Sequence, residues 1–212
     1  MQPRKQPILR LATALLVASA TFAGGCATSQ PSRFYLLSPL PEVKAARAET
    51  VETPSGIALG VGPIRLPGYL DRPEIVTRQS DNTLKLGEFD RWAEPLTDNF
   101  SRVLAQNLSA LLGTDRVALY PWPRSAAVDY QVTLDVLQLD AQPSGEVVLR
   151  AFWSILRGDG EELLLTAQSN FAEPITNGSY ENVVAAQSRA IGQLSQEIAA
   201  RVRDLMRRGS PR

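Results

Sequence analysis

A single cysteine, Cys26, and the complete absence of histidine limit what this 212-residue chain can fold into. One cysteine forms no disulfide within the chain, and without histidine there is no zinc site of the usual thiolate and imidazole type. The domain must therefore be held together by the packing of apolar side chains. The absence of histidine also removes the usual general base of serine and cysteine nucleophiles. Paired carboxylates or a Ser/Lys pair could still act, but no spacing points to either, so we expect no catalytic residues, no metal and no cofactor.

Residues 1–25 have the pattern of a secretory signal that is removed from the mature protein. Three basic residues come first, and an almost unbroken apolar run of 13 residues follows from Leu11 to Ala23. A helix needs about 20 residues to cross a bilayer core, so this run is too short for a permanent membrane span. The basic start, the apolar middle and the small residues before Cys26 are instead the order of a signal peptide.

Cys26 directly follows two glycines and resembles the cysteine of a bacterial lipobox, which is lipidated while the chain is cut just before it. Ala23 differs from the leucine that such motifs more often carry. In this interpretation residues 26–33 form a tether, and several acyl chains such as palmitate hold the domain at a membrane without crossing it. Lipoproteins retained in the inner membrane commonly carry aspartate after the cysteine, so Ala27 implies the outer membrane. The alternative is an ordinary signal peptide that leaves a free thiol near the mature start.

The chain that follows the signal has the size and charge of one acidic domain. Of 22 basic and 22 acidic residues, three basic and no acidic ones lie in residues 1–25, so the remaining 187 residues carry 19 basic against 22 acidic side chains, a net charge of −3. This balance argues against a non-specific nucleic-acid binder, which needs a basic surface. We expect a single domain over residues 34–212, in which residues 42–56 form a polar, mobile surface loop.

Hydrophobic periodicity predicts several strands and two long amphipathic helices. The predicted strands cover residues 34–37, 57–61, 74–78, 83–86, 116–120, 130–136, 147–156 and 163–171, and the predicted helices cover residues 93–112 and 180–206. Gly113 follows the first helix as a natural stop signal.

Three local features of these elements are also predicted. Gly62 and Pro63 interrupt the second strand. Residues 87–92 form a polar connection that exposes Phe89 and Trp92. The strand over residues 147–156 has apolar residues at odd and at even positions, except for Arg150 and Ser154, which indicates a strand that is either central or covered on both faces.

Four phrases of the sequence together resemble one known family. They are FYLL at residues 34–37, VGPIRLPGYLDRPEIVT at residues 61–77, RWAEPL at residues 91–96 and NLS at residues 107–109. The chain is similar to the ABC-type transport auxiliary lipoproteins and, within that family, to the paraquat-inducible protein C group. The resemblance extends over essentially the whole mature chain, and its most specific part is the run at residues 66–73.

The resemblance implies both a fold and a set of partners. The fold is α/β, a mixed β-sheet with two long amphipathic helices packed on it, similar to the TolB N-terminal or anticodon-binding-like domain. Such lipoproteins work with an MCE-domain protein, of the paraquat-inducible protein B type, and with its inner-membrane transporter components. These systems move phospholipids or related hydrophobic molecules between the two membranes. The resemblance also implies self-association in a homo-oligomeric ring.

The run at residues 66–73 has two interpretations. It is either a rigid turn that closes the sheet or a contact surface for a partner or a neighbouring protomer, because Tyr and Arg are favoured at interfaces. Arg91 and Trp92 either form a second contact patch or cover the end of the first helix. The candidate contact residues are Arg65, Leu66, Tyr69, Leu70, Asp71, Arg72, Arg91 and Trp92.

Three functional hypotheses remain at this point. The favoured one is a non-catalytic lipoprotein that docks a periplasmic MCE tunnel or ring to the outer membrane and supports envelope integrity. The second is a lipid-anchored envelope enzyme or cell-wall binder, which needs a pocket with convergent polar groups. The third is a domain that itself holds a lipid between its sheet and its helices.

Overall fold

The computed structural model describes residues 30–41, 56–123, 126–158 and 160–209. The predicted signal segment, Cys26 with the first half of the predicted tether, and nearly all of the predicted loop at residues 42–56 lie outside the described residues. From Ser32 onward the chain forms one compact unit. Its strands are β1 Arg33–Tyr35, β2 Leu59–Arg65, β3 Glu74–Ser80, β4 Thr83–Trp92, β5 Val117–Leu119, β6 Tyr130–Ala141, β7 Glu146–Arg157 and β8 Leu163–Pro174; its long helices are α1 Leu96–Leu112 and α2 Tyr180–Gly209.

These strands form one mixed, curled sheet around β6. Strand β7 lies antiparallel along the whole of one edge of β6, and β8 lies antiparallel to β7. On the other edge of β6, β2 runs parallel beside its first half, and β3 meets its last residue, Ala141, through Thr77. The sheet continues from β2 to β5 and from β3 through β4 to β1. The predicted α/β class with a mixed sheet and two long helices is confirmed.

The core lies between one face of this sheet and the two helices. Alternate side chains of β6 and β7 are buried, and the stripes of α1 and α2 that were predicted from helical periodicity pack on them. The largest fully buried side chains are Trp153, Phe100, Leu59, Ile75, Leu96, Leu104, Leu108, Leu134, Leu139, Leu149, Ile155 and Ile191. Full burial of one such side chain contributes about 1.5–3 kcal/mol, so this layer accounts for a fold that has no disulfide among its described residues.

Strand β7 is central but is covered on one face only. Val147, Ala151 and Trp153 are buried, whereas Arg150 is exposed and Phe152 is 43% exposed. Of the two predicted possibilities, central or covered on both faces, the first is confirmed, and the apolar side chain of Phe152 lies on the open face. Exposed apolar residues are common, so apolar residues on both faces of a strand do not require that both faces are buried.

Strand β2 continues through the predicted interruption. Gly62 has a φ of 115°, the Gly62–Pro63 peptide is cis, and the pairing register with β6 shifts between Val61 and Ile64. These are the features of a bulge that absorbs proline without ending the strand, so β2 extends to Arg65.

Residues 87–92, predicted as a polar connection, are the second half of β4. Pairing with β3 continues to Arg91 and pairing with β1 covers Asp90 to Trp92. Trp92 is 6% exposed and belongs to the core, so its predicted exposure was wrong. Polar residues such as Glu88 obscured the strand in the sequence, because this stretch is polar on its open face.

The ends of α1 follow local chemistry. Pro95 precedes the helix, and its carbonyl accepts the amide hydrogens of Asp98 and Asn99. The helix therefore begins at Leu96 and not at Ala93. Gly113 adopts the left-handed conformation with a φ of 63°, which confirms the predicted stop.

Candidate functional site

The run at residues 66–73 is an ordered turn between β2 and β3. The amide of Leu70 donates to the carbonyl of Pro67 at 2.9 Å, and the amide of Arg72 donates to the carbonyl of Leu70 at 2.9 Å. Leu70 is 2% exposed and belongs to the core, while Leu66 is half-buried and Asp71 is exposed. The turn is thus closed by its own backbone and pinned by one buried leucine.

A buried carboxylate, Asp140 at the end of β6, holds this turn from beneath. The Tyr69 hydroxyl donates to its Oδ2 at 2.9 Å and the Arg78 guanidinium donates to the same oxygen at 3.0 Å. Gln138 and Gln142 donate to its Oδ1. Burial raises the pKa of Tyr69, and the neighbouring Asp140 raises it further, so the phenol stays a hydrogen-bond donor.

Arg72 and Arg91 meet across a shared carboxylate, Glu74. Arg72 Nε lies 3.0 Å from Glu74 Oε2, and an Arg91 terminal nitrogen lies 3.7 Å from Glu74 Oε1. The hydrogen bond from Arg72 lowers the pKa of Glu74. Glu74 lies opposite Arg91 on β4, and Arg91 lies opposite Phe34 on β1, so the three side chains share one face of the sheet. Phe34 is 63% exposed.

We call Phe34, Arg72, Glu74 and Arg91 the three-strand patch. Of the candidate contact residues, the structure brings Arg72 and Arg91 together here. Trp92 is buried behind the patch, with its amide donating to the carbonyl of Pro73 at 2.8 Å. Phe34 was not among the candidates, although it stands in the FYLL phrase; the cross-strand register that places it beside Arg91 is not readable from the sequence.

Arg65, the last residue of β2, does not belong to the three-strand patch and forms an ion pair with β6. Its guanidinium donates to Asp135 of β6, with a distance of 2.8 Å between the terminal nitrogen and Oδ2. Both side chains are well exposed. The hydrogen bond from Arg65 lowers the pKa of Asp135.

The segment that follows β1 is fixed between the two helices by side-chain amides. Asn99 of α1 accepts the amide hydrogen of Leu37 at 2.6 Å, and Asn107 accepts that of Leu40 at 2.9 Å. Asn107 also donates to the Ser195 hydroxyl of α2 at 3.0 Å. The sequence marked Asn107 only as part of the family phrase, and Asn99 carried no signal. We call residues 36–40 the clamped segment.

Strand β1 itself is fixed by Asp90 of β4. Arg33 Nε lies 2.9 Å from Asp90 Oδ1, and the Tyr35 hydroxyl donates to the same oxygen at 2.7 Å. Burial raises the pKa of Tyr35, and its hydrogen bond to Asp90 raises it further. The domain thus holds its N-terminal strand with an ion pair, a phenol and two buried amides.

A cavity of about 410 Å³ lies beside the clamped segment. Leu36 and Leu40 of the clamped segment and Pro41, which follows it, line one side, and Val184 and Ala185 line it from α2. In the described part of the chain there is no group of three or more His, Cys, Asp or Glu side chains that could hold a metal ion. Among the same residues, no helix combines the length and the apolar character needed to span a membrane.

A curled mixed sheet with two long helices on one face, and an N-terminal strand held at its edge, defines the class of α/β domain to which this chain belongs. The family model of the ABC-type transport auxiliary lipoprotein component matches residues 35–199, from β1 into the second half of α2. The chain therefore belongs to the family of ABC-type transport auxiliary lipoprotein components. This confirms the resemblance drawn from the four sequence phrases and is consistent with the paraquat-inducible protein C group. No curated protein sequence matches the chain at a significant level.

Two solved structures share the fold. The crystal structure of an uncharacterized protein superposes with a TM-score of 0.66 at 18% sequence identity, covering 82% of this chain and 99% of that chain. A protein from Xanthomonas campestris superposes with a TM-score of 0.60 at 19% identity, covering 78% of this chain and 92% of that chain. At these identities the likeness concerns the fold alone. The likeness to a TolB domain stays a prediction.

Proposed function

We propose that this protein is a non-catalytic, outer-membrane lipoprotein subunit of an MCE-type intermembrane lipid transport system. Lipids on Cys26 anchor it, and the domain docks the periplasmic MCE tunnel or ring to the outer membrane. The observation that carries this proposal is the family match over residues 35–199, which covers most of the folded unit. The lipobox-like run before Cys26 and the implied outer-membrane destination come from the sequence.

The buried carboxylates of the described chain support a non-catalytic role. Asp90 is engaged by Arg33 and Tyr35, and Asp140 is engaged by four donors. Glu173 accepts from Arg189 at 2.7 Å and from Gln193. A general acid or base needs a carboxylate oxygen within hydrogen-bonding reach of a substrate, whereas these three carboxylates each bind structural partners.

The three-strand patch is the best candidate for the contact with the transport partner. It combines an exposed aromatic ring with two arginines, the residue types most enriched at interface hot spots. The turn at residues 66–73 supports it, since Tyr69 and Leu70 fix the position of Arg72 from below. Leu66 and Asp71 flank the patch along the chain. Arg65 offers a separate charged pair with Asp135.

The anchor and the transport role are tested together with Cys26→Ala in the full-length protein. Envelopes are solubilised mildly, and both wild type and variant are fractionated and used for pull-down. We expect wild type in the outer membrane together with an MCE-domain protein, and the variant either released from the membrane or retained as uncleaved precursor. If the variant fractionates like wild type and no MCE-domain protein is recovered, both parts of the proposal fail.

The contact surface is tested with the double variant Phe34→Ala/Arg72→Ala. Because Phe34 is mostly exposed, we expect an unchanged fold and a several-fold loss of the recovered MCE-domain protein. Tyr120→Ala/Arg201→Ala is the matched control, since it also removes one exposed aromatic ring and one exposed arginine. Equal recovery with the two double variants would rule out the patch as the contact.

The lipid-holding alternative placed the lipid between the sheet and the helices, whereas the cavity lies between the clamped segment and α2 and is a different place in which a lipid could bind. The lining of the cavity is largely apolar, and its volume of about 410 Å³ would admit part of an acyl chain. Native mass spectrometry of the purified protein, compared with a Val184→Trp variant that fills the cavity, tests lipid binding there. A lipid adduct lost in the variant supports it, and an absence of adduct in wild type removes it.

A further inference from the structure

Asn177 and Gly178 form an exposed bend between β8 and α2. Strand β8 ends at Pro174 and α2 begins at Tyr180, and both residues of the bend are open to solvent. Asn177 is the only one of the six asparagines of the chain that precedes a glycine. The others precede threonine, phenylalanine, leucine or valine, whose side chains crowd the backbone nitrogen that follows the asparagine. The bend is therefore the place where an asparagine side chain can react with its own backbone.

Two hydrogen bonds fold the Asn177 side chain back over the Gly178 backbone. Its Oδ1 accepts the backbone amide hydrogen of Ser179 at 3.1 Å and a side-chain amide hydrogen of Asn182 at 2.6 Å. The bond from an asparagine oxygen to the amide two residues further on makes a compact local turn. Both donors point at the oxygen on which negative charge develops when a nucleophile attacks this carbonyl. The fold thus polarises the amide that the next residue can attack.

Gly178 leaves room for this attack. A Cβ added at residue 178 would meet no atom within 4 Å, so no other element of the described chain covers the glycine. Glycine also turns its backbone at little steric cost, because it has no side chain. The nitrogen of residue 178 can therefore rotate toward the side-chain carbonyl of Asn177.

We propose that Asn177 is a site of covalent self-modification, in which its side-chain amide becomes a carboxylate through a cyclic imide. The Gly178 backbone nitrogen loses its proton to hydroxide and forms a bond to Asn177 Cγ. The bond from Cγ to Nδ2 then breaks, and Nδ2 takes up a proton from water and leaves as ammonia. A water molecule opens the imide at either of its carbonyls. One opening gives aspartate, and the other gives isoaspartate, in which the main chain passes through the former side-chain carbonyl.

The two products have different effects on α2. Aspartate at residue 177 keeps an oxygen for Ser179 and Asn182 and adds a negative charge at the N-terminus of α2, where the helix dipole favours it. Isoaspartate lengthens the main chain and moves the acceptor away from the Ser179 amide. The helix starts at this point, since the Val183 amide donates to the Ser179 carbonyl at 3.0 Å. Isoaspartate, and not aspartate, therefore loosens the first turn of α2.

Mass spectrometry of the purified full-length protein tests the reaction, which is independent of the transport role. The folded protein is incubated in mildly alkaline buffer made with heavy-oxygen water and is then digested in ordinary water. We expect the peptide that contains Asn177 to gain solvent oxygen and to separate into two forms of equal mass. Peptides that contain Asn82 and Asn170, which are also exposed, should stay unchanged. Gly178→Ala, whose methyl group would meet no atom, should react many-fold more slowly.

Two results of this experiment would overturn the proposal. One is an intact Asn177 in the folded protein after the chain unfolded in guanidinium chloride has converted. The other is a reaction of Gly178→Ala that is as fast as that of wild type. Asn182→Leu removes one donor to Oδ1 and should slow the reaction several-fold. Equal rates in wild type and Asn182→Leu would contradict the activating role of the hydrogen bonds.

Hydrogen exchange tests the effect on α2. The isoaspartate form is separated from the aspartate form by chromatography, and exchange at the Val183 amide is compared between them. We expect exchange to accelerate several-fold in the isoaspartate form and to stay at the wild-type rate in Asn177→Asp. The same exchange rate in both forms would contradict the loosening of the first turn.

Discussion

Two aspartates on β6 have opposite surroundings. Asp140 has no exposed side-chain surface and accepts from four donors, whereas Asp135 is open to solvent and pairs with Arg65. A buried charge that loses its partners is costly, while an exposed ion pair contributes little because water and salt screen it. The buried carboxylate is therefore the one on which the turn at residues 66–73 depends.

Replacing Asp140 should cost far more stability than replacing Asp135. Asp140→Asn leaves Arg78 and Tyr69 without their charged acceptor, and we expect a loss of about 2–4 kcal/mol in the free energy of unfolding. Asp135→Asn, the matched control on the same strand, should cause a much smaller loss. Urea denaturation measures both. Similar losses for the two variants would contradict the assigned role of Asp140.

The pKa of Asp135 should depend on Arg65. The hydrogen bond from Arg65 lowers the pKa of this carboxyl below its ordinary value of 3.8. Stability from the pair is therefore present above the ordinary value and is lost as pH falls through the lowered one. In Arg65→Met, an NMR titration should show the pKa of Asp135 rising toward the ordinary value. Arg116→Met should leave it unchanged, because Arg116 donates to the Gly56 carbonyl ahead of the start of β2, whereas Asp135 lies opposite Arg65 at the end of that strand.

At the scale of elements, the clamped segment joins three parts of the fold. Leu37 is bound through Asn99 of α1, Ser38 donates its amide to the Ser188 hydroxyl of α2 at 3.0 Å, and Leu40 is bound through Asn107. An irregular segment has no partner strand to accept its amide hydrogens, so side chains of the helices must do so. The two asparagines thus replace a strand pairing at this point.

Removing one of these amides should open the segment locally. Asn107→Leu leaves the Leu40 amide and the Ser195 hydroxyl without that partner, and we expect a loss of about 1–3 kcal/mol. Hydrogen exchange at Leu40 should accelerate strongly. Asn182→Leu, in the first turn of α2, removes hydrogen bonds to Asn177 and Ser179 only and should leave that exchange rate unchanged. Equal acceleration in both variants would contradict the clamp.

The hairpin between β7 and β8 depends on a close backbone approach at Gly158. A Cβ added there would lie 1.5 Å from the carbonyl oxygen of Val128, whereas one added at Gly178 would meet no atom within 4 Å. Gly158→Ala should therefore lower the free energy of unfolding by about 1–3 kcal/mol, because the added methyl group forces the backbone at residue 158 away from Val128. Gly178→Ala should be nearly neutral. Thermal unfolding compares the two, and an equally small change in both would show that the hairpin adapts.

Regular elements were predictable where periodicity was strong. The long helices and strands β6 to β8 repeat apolar residues at fixed spacings, and the structure confirms them. Two predictions were wrong for the same reason. The interruption predicted at Gly62–Pro63 is a bulge within β2, and the polar connection predicted at residues 87–92 is the second half of β4, which is polar on its open face. In both cases pairing with a neighbouring strand overrides local propensity. The partners of Tyr69 and Arg91, at Asp140 and Glu74, depend on register and could not be inferred locally.

At the scale of the whole molecule, the absence of histidine sets the response to pH. No side chain of the sequence has an ordinary pKa close to neutrality. The lowered pKa values of Glu74 and Asp135 change the stability only in acid. The raised pKa values of Tyr35, Tyr69 and Tyr180 change it only in strong base.

We therefore expect the free energy of unfolding to vary by less than about 0.5 kcal/mol between about pH 6 and pH 8. Stability should decline only below about pH 5, where Glu74 and Asp135 begin to take up protons in the unfolded chain before they do so in the folded one. Urea denaturation across this range provides the measurement. A change larger than about 1.4 kcal/mol near neutrality would contradict this expectation.

The clamped segment also determines how the domain carries mechanical load. Tension applied to the chain at Cys26 enters the described fold through β1, whose short parallel pairing with β4 is reinforced by the Arg33–Asp90 ion pair. Beyond it, load passes to Asn99 and Asn107 and so to both helices at once. Because β1 has only three residues, we expect its pairing with β4 to yield under such tension before the longer pairings of the sheet do. The two asparagines would then hold the segment behind it against the helices.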